Sequence, residues 1–279
     1  MLTSEQKEYY DENGYFVAKN LLSNEEVEFL RDHYMEIRLK GPYEFDMVAD
    51  TSTSNDPLLQ YPRMAQMHRW DKTTLQFMLD TRLNARLTSL LGAEPLAVQS
   101  MIYFKPPGAR GQALHQDNIY LRAQPGTCMA AWLALDDCDE ENGCMQVVGG
   151  SHTWPLLCPT KADAKTSFTD VTTPLPDGVE PTPVVMQAGD VLFFNGTVVH
   201  GSFPNTSSTR FRRSLIAHYV EGHTNILTSF DQPVLRMDGT SFTMKEAEGG
   251  GECGKWIDID GQPAIEMIGE LAQAIGTPH

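Results

Sequence analysis

The chain has 279 residues, of which 41% are hydrophobic and 9% aromatic, so it is long enough to bury a sizeable core. Its formal net charge of -16 disfavours nucleic acid and anionic membranes as partners, because such a surface repels phosphate groups. The sequence contains no run of about 18 apolar residues that would cross a membrane, and its polar start, MLTSEQKEYY, lacks the apolar centre of a secretory signal.

The first 92 residues are predicted to be mainly helical. A helix should begin at a cap on Thr3 or Ser4, run to about Glu12 and end at Gly14. The elements predicted next are a short strand at 15–19, a helix from the cap Ser23 to about residue 37, a polar loop at 41–62, and a helix in one or two pieces at 71–91, stopped by Gly92.

After residue 92 the pattern changes to short apolar segments separated by turn residues. Many short strands after a helical start predict a mainly β fold, an antiparallel barrel or jelly roll with flanking helices. The predicted strands are 96–104, 127–135, 145–148, 191–194, 198–200 and 212–220, with a long insertion at 155–183. We expect a single domain over 1–279, with helical support at 1–92, a barrel core at about 94–222 and a C-terminal extension at 223–279.

The five cysteines are odd in number and include no C-x-x-C pair. This pattern argues against a disulfide scaffold or a cysteine zinc site. We therefore expect each cysteine to be a small buried hydrophobic residue, and the protein to work in a reducing, cytoplasmic setting. The positions are Cys128, Cys138, Cys144, Cys158 and Cys253.

His115-Gln116-Asp117 forms an H-x-D element, which alone is a weak motif because about one such pair is expected by chance at this composition. On a strand, residues i and i+2 project from the same face, so His115 and Asp117 can both point into a barrel. His200, at the end of the apolar segment VLFFNGTVVH, can reach the same interior from a neighbouring strand.

Two imidazoles and one carboxylate on one face leave three open positions on an octahedral metal. This set suits non-haem Fe(II), which must hold a bidentate cosubstrate and then O2. A catalytic zinc can also use two histidines and a carboxylate, although no H-E-x-x-H helix supports that alternative.

Three arginines follow His200 on one predicted strand: Arg210, Arg212 and Arg213. A buried arginine near the metal can hold a dicarboxylate through a bidentate, charge-assisted pair. Such an arginine would select 2-oxoglutarate over simple keto acids. Because neighbours on a regular strand face opposite ways, only one of Arg212 and Arg213 can serve.

These segments together resemble the phytanoyl-CoA dioxygenase (PhyH) family of Fe(II)/2-oxoglutarate-dependent oxygenases. The likeness covers about residues 96–220. The matching segments, in order, are SMIYFKPPG (100–108), LHQD (114–117), AWLALD (131–136), ENGC (141–144), GGSH (149–152), GDVLFF (189–194), HGS (200–202) and RRSL (212–215).

The resemblance implies a double-stranded β-helix of the cupin-like jelly-roll type. It also implies that His115, Asp117 and His200 bind iron. Arg212 would hold the distal carboxylate of 2-oxoglutarate with help from Ser202, although Arg212 stands one position later than the family spacing, which leaves Arg213 as a fallback. The same likeness places further side chains at the cosubstrate pocket, namely Trp132, Gln99 and Met101.

The activity implied is hydroxylation of an unactivated C–H bond in a small molecule or secondary metabolite, with O2 consumed and succinate and CO2 released. Asp117 argues against a halogenase, in which that carboxylate position is vacant. Two alternatives stay open: a non-oxygenase metalloenzyme, such as an isomerase or hydrolase, and a catalytically silent metal-binding barrel. We expect a monomer or homodimer without a nucleic-acid or membrane partner.

Four other residues carry separate expectations. Gly143 is expected to adopt a turn conformation with positive φ. Lys105 is expected to be solvated, with contact to a ligand as the alternative. His152 and His218 are expected to have structural or surface roles. The segments 42–62 and 155–183 can cover the pocket.

Overall fold

The structure is a computed structural model that describes residues 2–47, 56–248 and 253–268. The helices are α1 Ser4–Asn13, α2 Asn24–Lys40, α3 Lys72–Met78, α4 Thr81–Leu91 and α5 Asn118–Leu121. The strands are β1 Tyr15–Ala18, β2 Asp46–Met47, β3 Arg63–Ala65, β4 Pro95–Lys105, β5 Gln112–His115, β6 Cys128–Ala134, β7 Met145–Val147, β8 Thr160–Lys161, β9 Val171–Thr172, β10 Thr182–Val184, β11 Val191–Asn195, β12 His200–Ser202, β13 Arg212–Glu221, β14 Ile226–Leu227, β15 Val234–Leu235, β16 Ser241–Phe242, β17 Lys245–Glu246, β18 Cys253–Ile259 and β19 Gln262–Ile268.

The N-terminal helices begin where the sequence predicts, and α2 continues three residues beyond its predicted end at residue 37, to Lys40. Thr3 caps α1 in a capping box with Gln6, and Ser23 caps α2 in the same way with Glu26. Gly14 ends α1 in the left-handed conformation, which glycine adopts without steric cost. The helical region at 71–91 is in two pieces, α3 and α4, joined at Leu79 and Asp80.

Two antiparallel sheets form the body of the protein, which confirms the predicted jelly roll. The larger sheet has the strand order β1-β11-β6-β13-β4-β15-β16, with β3 also pairing to β4 and β2 to β3. The smaller sheet has the order β10-β7-β12-β5. Neighbouring strands are mostly non-consecutive in sequence, so residues far apart in the chain meet at the same place.

The alternation of side chains on β13 divides the core into two layers. Leu215 and Tyr219 belong to the core between the larger sheet and the N-terminal helices, where Tyr219 Oη donates to the carbonyl of Met78 at 2.8 Å. Ile216 faces the other way, into the core that the sheet shares with Met145 and Val147 of β7. The inner face of the larger sheet therefore packs against the smaller sheet.

Two segments expected to be irregular contain short strands. The 41–62 segment includes β2 and a short helical turn at Pro57–Leu59, while its residues 48–55 lie outside the described residues. The 155–183 segment contains β8, β9 and the start of β10. The strand predicted at 198–200 begins instead at His200, because Val198 lies in the turn that precedes it.

The expectation for the cysteines is wrong at two positions. Cys158 and Cys253 form a disulfide that ties the 155–183 segment to the C-terminal hairpin of β18 and β19. Cys128, Cys138 and Cys144 are free and buried, as predicted. The bridge weakens the argument for a reducing compartment, because disulfides persist in oxidising ones. No helix in the described part of the chain is long and apolar enough to cross a membrane.

Candidate metal centre

A cavity lies between the inner faces of the two sheets. Its volume is about 350 Å³, including its open side. Most of its lining side chains carry polar groups, and apolar side chains lie between them. The lining side chains are Tyr103, Gln112, His115, Asp117, Trp132, Met145, Phe194, His200, Ser202, Arg212, Ile216 and His218.

The smaller sheet brings the two histidines together. His115 is the last residue of β5 and His200 the first of β12, and the two are direct register partners. Asp117 is not on a strand; it has helical φ and ψ angles of -60° and -33° and directly precedes α5. The expectation that one strand pleat aims both His115 and Asp117 inward is therefore wrong. A turn after β5 places the carboxylate instead.

Hydrogen bonds to the backbone orient both imidazoles. His115 Nδ1 lies 2.8 Å from the carbonyl of Ala113, and His200 Nδ1 lies 2.9 Å from the carbonyl of Val198. A carbonyl only accepts, so each Nδ1 carries the proton and each Nε2 keeps its lone pair. The Nε2 of His115 accepts a hydrogen bond from Gln112 Nε2 at 3.2 Å. This tautomer is the one required of a histidine that binds a metal through Nε2.

One side-chain atom from each of the three residues points to the same place in the cavity. Asp117 Oδ1 lies 3.4 Å from His115 Nε2 and 3.5 Å from His200 Nε2. All three residues are buried, and one donor atom from each lies within 4.8 Å of the others. Two imidazoles and a carboxylate at this spacing fit a divalent metal ion with open coordination positions.

For two of the ligands, His115 and Asp117, the surroundings favour the form that binds a metal. Burial lowers the pKa of His115, with a further contribution from His200. Burial alone would raise the pKa of Asp117, but the surrounding imidazoles outweigh it and hold that pKa well below its usual value. A neutral imidazole and an ionised carboxylate are the protonation states that metal binding needs.

The second oxygen of Asp117 has its own partner. His218, on the inner face of β13, places Nε2 3.1 Å from Asp117 Oδ2. His218 is 5% exposed, so of the two roles expected for it, structural or surface, the structure excludes the surface one. His152 differs, because its Nε2 lies 3.2 Å from the carbonyl of Asp11 and it is not among the residues that line the cavity.

Arg212 and Arg213 face opposite sides of the larger sheet, as strand alternation predicts. Arg212 lines the cavity, is 2% exposed, and stacks over Trp132 with its Cζ 5.4 Å from the ring centroid. Arg213 faces the helices and makes a bidentate pair with Asp136 at 2.6 and 2.8 Å. The structure therefore places Arg212, and not the fallback Arg213, beside the metal ligands.

The guanidinium of Arg212 is only partly used by the protein. Its Nε donates to the carbonyl of Gly143 at 3.1 Å, and its Nη1 donates to Ser214 Oγ at 2.8 Å. Arginine has five N–H donors, so three are without a partner among the described residues and can bind a ligand. Among the described residues no carboxylate lies within ion-pair distance of it, whereas buried Arg38 and Arg110 each pair with an aspartate.

Ser202 lines the same cavity, and Lys105 lies behind it. Lys105 is 2% exposed and donates to Ser202 Oγ at 2.7 Å, so the expectation that Lys105 is solvated is wrong. Gly143 has the predicted positive φ, 87°. A side chain at Gly143 would place Cβ 2.6 Å from Lys105 Cδ, so this turn also requires glycine for space.

Of the three other predicted pocket residues, only Trp132 lines the cavity. Gln99 and Met101 lie on the inner face of β4 but outside the lining set. Gln99 Nε2 donates to Asp231 Oδ1 at 2.8 Å, and Met101 packs in the inner core, where its sulfur accepts from Tyr103 Oη at 3.8 Å. Both support residues around the site rather than face its centre.

A second cavity of about 300 Å³ shares Tyr103 and Arg212 with the first. Leu58 and Phe168 line it, so both segments expected to cover the pocket reach this region. Arg63, which the sequence analysis did not single out, is buried there. Its Cζ lies 5.3 Å from the ring of Tyr103 and 4.6 Å from that of Phe168.

Strand alternation could have found His218 from the sequence. Once Arg212 is assigned to the inside, the same period brings His218 inside as well. Lys105 is the register partner of Arg212 on β4, but that pairing depends on a contact between strands more than 100 residues apart. Arg63 carries no comparable signal, because its environment is built by segments without a regular period.

The fold and this cavity together define a cupin-like jelly-roll protein with a two-histidine, one-carboxylate metal centre. The phytanoyl-CoA dioxygenase (PhyH) family model matches residues 10–214, and the chain belongs to that family.

Several known proteins are similar to the chain. Phytanoyl-CoA dioxygenase 1 of Oryza sativa subsp. japonica is 28% identical over 252 residues, covering 79% of this chain and 89% of that protein. The epimerase SnoN, solved in complex with Fe3+, alpha ketoglutarate and nogalamycin RO, is 20% identical with a TM-score of 0.63, covering 89% of this chain and 96% of that one. The carbocyclase SnoK from nogalamycin biosynthesis is 22% identical with a TM-score of 0.62, covering 80% and 86%. At these identities the two structures establish the fold alone.

Proposed function

We propose that this protein is an Fe(II)- and 2-oxoglutarate-dependent dioxygenase that hydroxylates a C–H bond of a small molecule. One observation carries the proposal: a buried arginine without an acidic partner in the described chain shares a cavity with three converging metal ligands. A metal site alone fits several chemistries. The added arginine fits a cosubstrate that chelates the metal and also bears a distal carboxylate.

The chain would hold iron through His115 Nε2, His200 Nε2 and Asp117 Oδ1, the three atoms that converge. A two-histidine, one-carboxylate set leaves coordination positions open for a cosubstrate and O2. When bound, iron and 2-oxoglutarate supply the oxidising chemistry, in which O2 is consumed and succinate and CO2 are released.

The cosubstrate would lie between the metal ligands and Arg212. The free N–H groups of Arg212 and the hydroxyl of Ser202 would bind its distal carboxylate, with Trp132 forming the wall beneath the guanidinium. The role of the protein is to orient the reactants and to exclude water from the site. Burial of all three metal ligands and of Arg212 is consistent with that role.

The substrate is proposed to be a small molecule or secondary metabolite. The net charge of -16 does not favour a polyanion as a partner, although it does not determine the chemistry of one cavity. The cytoplasmic setting and the monomeric or dimeric state stay predictions. SnoN and SnoK are an epimerase and a carbocyclase, so outcomes other than hydroxylation belong in any product analysis.

The first test is anaerobic addition of Fe(II) and 2-oxoglutarate to the purified protein, followed by visible spectroscopy. We expect a weak charge-transfer band from the chelate, and we expect Asp117→Ala and His200→Ala to lose it along with tight Fe(II) binding. Asp11, an exposed aspartate on α1, provides a matched control as Asp11→Ala. Iron binding without the band would favour a non-oxygenase metalloenzyme.

Succinate release then separates an active oxygenase from a silent metal-binding barrel. Small-molecule candidates are screened under air with Fe(II) and 2-oxoglutarate, and products are identified by mass. Substrate-dependent succinate with a gain of one oxygen atom in the product supports hydroxylation. Either of two other mass changes would contradict hydroxylation. A product of unchanged mass would indicate epimerisation, and a product that has lost two hydrogens would indicate ring closure or desaturation.

A further inference from the structure

We propose that Lys105 is a positioning residue that makes the cavity selective for a dicarboxylate cosubstrate, acting through Ser202 and alongside Arg212. This inference rests on the proposed function, because it assigns a role at the cosubstrate pocket. Lys105 lies at the end of β4, directly opposite Arg212 on β13.

Lys105 and Arg212 face each other here without an acidic partner among the described residues. Like charges directly opposite in a sheet are destabilising, and buried charges are costly unless they are compensated. No carboxylate in the described ranges lies within ion-pair distance of Lys105 or Arg212. By contrast Arg213, the next residue along β13, has a bidentate carboxylate partner in Asp136. Residues 105 and 212 therefore form a positive site that fits an anion from outside the chain.

The ammonium group of Lys105 is fully occupied by the protein. Its Nζ donates to Ser202 Oγ at 2.7 Å, to the carbonyl of Phe203 at 2.5 Å and to the carbonyl of Gly143 at 3.4 Å. An ammonium has three N–H donors, so none is left for a ligand. Lys105 therefore acts on a cosubstrate through its charge and through Ser202, not by direct contact.

The hydrogen bonds that Ser202 Oγ accepts determine where its hydroxyl proton points. Ser202 Oγ accepts from Lys105 Nζ at 2.7 Å and from the backbone N–H of Gln112 at 3.2 Å. A hydroxyl has two acceptor lone pairs and one O–H donor. Both lone pairs are used, and no described residue accepts the proton. Lys105 thus makes Ser202 a dedicated donor at a cavity wall that it shares with Arg212.

Burial also makes the charge of Lys105 sensitive to an anion bound in the cavity. Burial and, after it, the charge of Arg212 lower the pKa of Lys105 well below its usual value. An anion bound beside Arg212 would favour the charged form of Lys105, because opposite charges stabilise each other more strongly at low dielectric. The positive site and a dianionic cosubstrate therefore stabilise each other.

The experiment compares two 2-oxo acids that chelate iron alike but differ at the far end. Dissociation constants for 2-oxoglutarate and for 2-oxobutanoate, which lacks the distal carboxylate, are measured from the anaerobic chelate band of the Fe(II)-loaded full chain. We expect Lys105→Met to raise the constant for 2-oxoglutarate at least tenfold and to leave that for 2-oxobutanoate within about twofold. Lys161→Met, at an exposed lysine, is the matched control and should change neither constant.

Each outcome has a distinct meaning. An unchanged constant for 2-oxoglutarate in Lys105→Met overturns the inference, and so does equal weakening of both acids, which would indicate general damage to the site. If Lys105→Met does not fold, Lys105→Gln is judged by the same criterion. Absence of a chelate band with either acid in the unmodified protein would instead refute the proposed function.

Discussion

His218 Nε2 lies 3.1 Å from Asp117 Oδ2, while Asp117 Oδ1 faces the two other metal ligands at 3.4 and 3.5 Å. The two oxygens of one carboxylate therefore have different partners. A hydrogen bond from His218 to Oδ2 orients the carboxylate so that Oδ1 is the oxygen presented to a metal. Such outer partners of metal ligands are worth about 10- to 100-fold in metal affinity.

Two substitutions of His218 should distinguish the effect of this hydrogen bond on metal affinity from the effect of side-chain packing. We expect His218→Leu to weaken Fe(II) binding by about 10- to 100-fold, and His218→Gln, which keeps an N–H donor, to weaken it far less. Fe(II) and Co(II) dissociation constants measured by titration provide the readout. His223→Leu, at a half-exposed histidine outside the cavity lining, is the control. Equal affinities for the Leu and Gln variants would show that the hydrogen bond does not orient Asp117.

Arg212 and Arg213 should respond to alanine substitution in opposite ways. Arg212→Ala removes the free donors of the cavity, so the 2-oxoglutarate dissociation constant should rise about 10- to 100-fold. Arg213→Ala breaks a largely buried pair with Asp136 and should cost on the order of 3 kcal/mol in the free energy of unfolding. Titration of the chelate band and denaturant unfolding measure the two effects. A larger cosubstrate defect in Arg213→Ala would contradict the placement of the arginines.

Local patterns were sufficient to predict much of the fold. The caps at Thr3 and Ser23 and the stops at Gly14 and Gly92 follow from neighbours in the sequence. The opposite orientation of Arg212 and Arg213 follows from strand periodicity alone. These features need no knowledge of which strands pair.

Features that depend on distant contacts could not be predicted in the same way. Lys105 looks like a solvated lysine until β4 is paired with β13, which buries it opposite Arg212. Asp117 follows a strand residue by two positions, yet the chain turns into α5 before reaching it. Cys158 and Cys253 are 95 residues apart, and an odd number of cysteines does not show which pair meets.

The disulfide between Cys158 and Cys253 should stabilise the C-terminal hairpin against the rest of the protein. It closes a long loop, and such bridges typically contribute about 2–4 kcal/mol to the free energy of unfolding. Trp256 Nε1 donates to the carbonyl of Trp154 at 3.1 Å, and Ile265 packs on Ile119 of α5. The hairpin therefore also supports the turn that carries Asp117.

Cys253→Ser should lower the melting temperature, and a thiol reductant should lower that of the unmodified protein without further effect on the variant. Cys128→Ser, at a buried free cysteine, is the control. This variant keeps the bridge between Cys158 and Cys253, so its melting temperature should still fall with the reductant. A melting temperature independent of reductant in the unmodified protein would show that the bridge does not form in solution.

His68 should make the protein less stable in mild acid. The side chain is 7% exposed and its Nδ1 lies 2.8 Å from Ser100 Oγ. Burial, with a smaller contribution from Arg69, lowers its pKa from 6.5 to about 4. The unfolded chain binds a proton on this histidine more readily than the folded chain between these values. The free energy of unfolding should therefore fall as the pH drops from 6.5 towards 4, by at most about 3 kcal/mol at roughly 1.4 kcal/mol per pKa unit.

Denaturant unfolding of His68→Asn and the unmodified protein at a series of pH values isolates this contribution. Other groups also titrate in this range, so the quantity to compare is the difference between the two proteins. Asparagine does not titrate, so the stability advantage of the unmodified protein should be largest above pH 6.5 and shrink progressively towards pH 4. A difference between unmodified protein and His68→Asn that stays constant from pH 7 to 4 would show that His68 is not held neutral by burial.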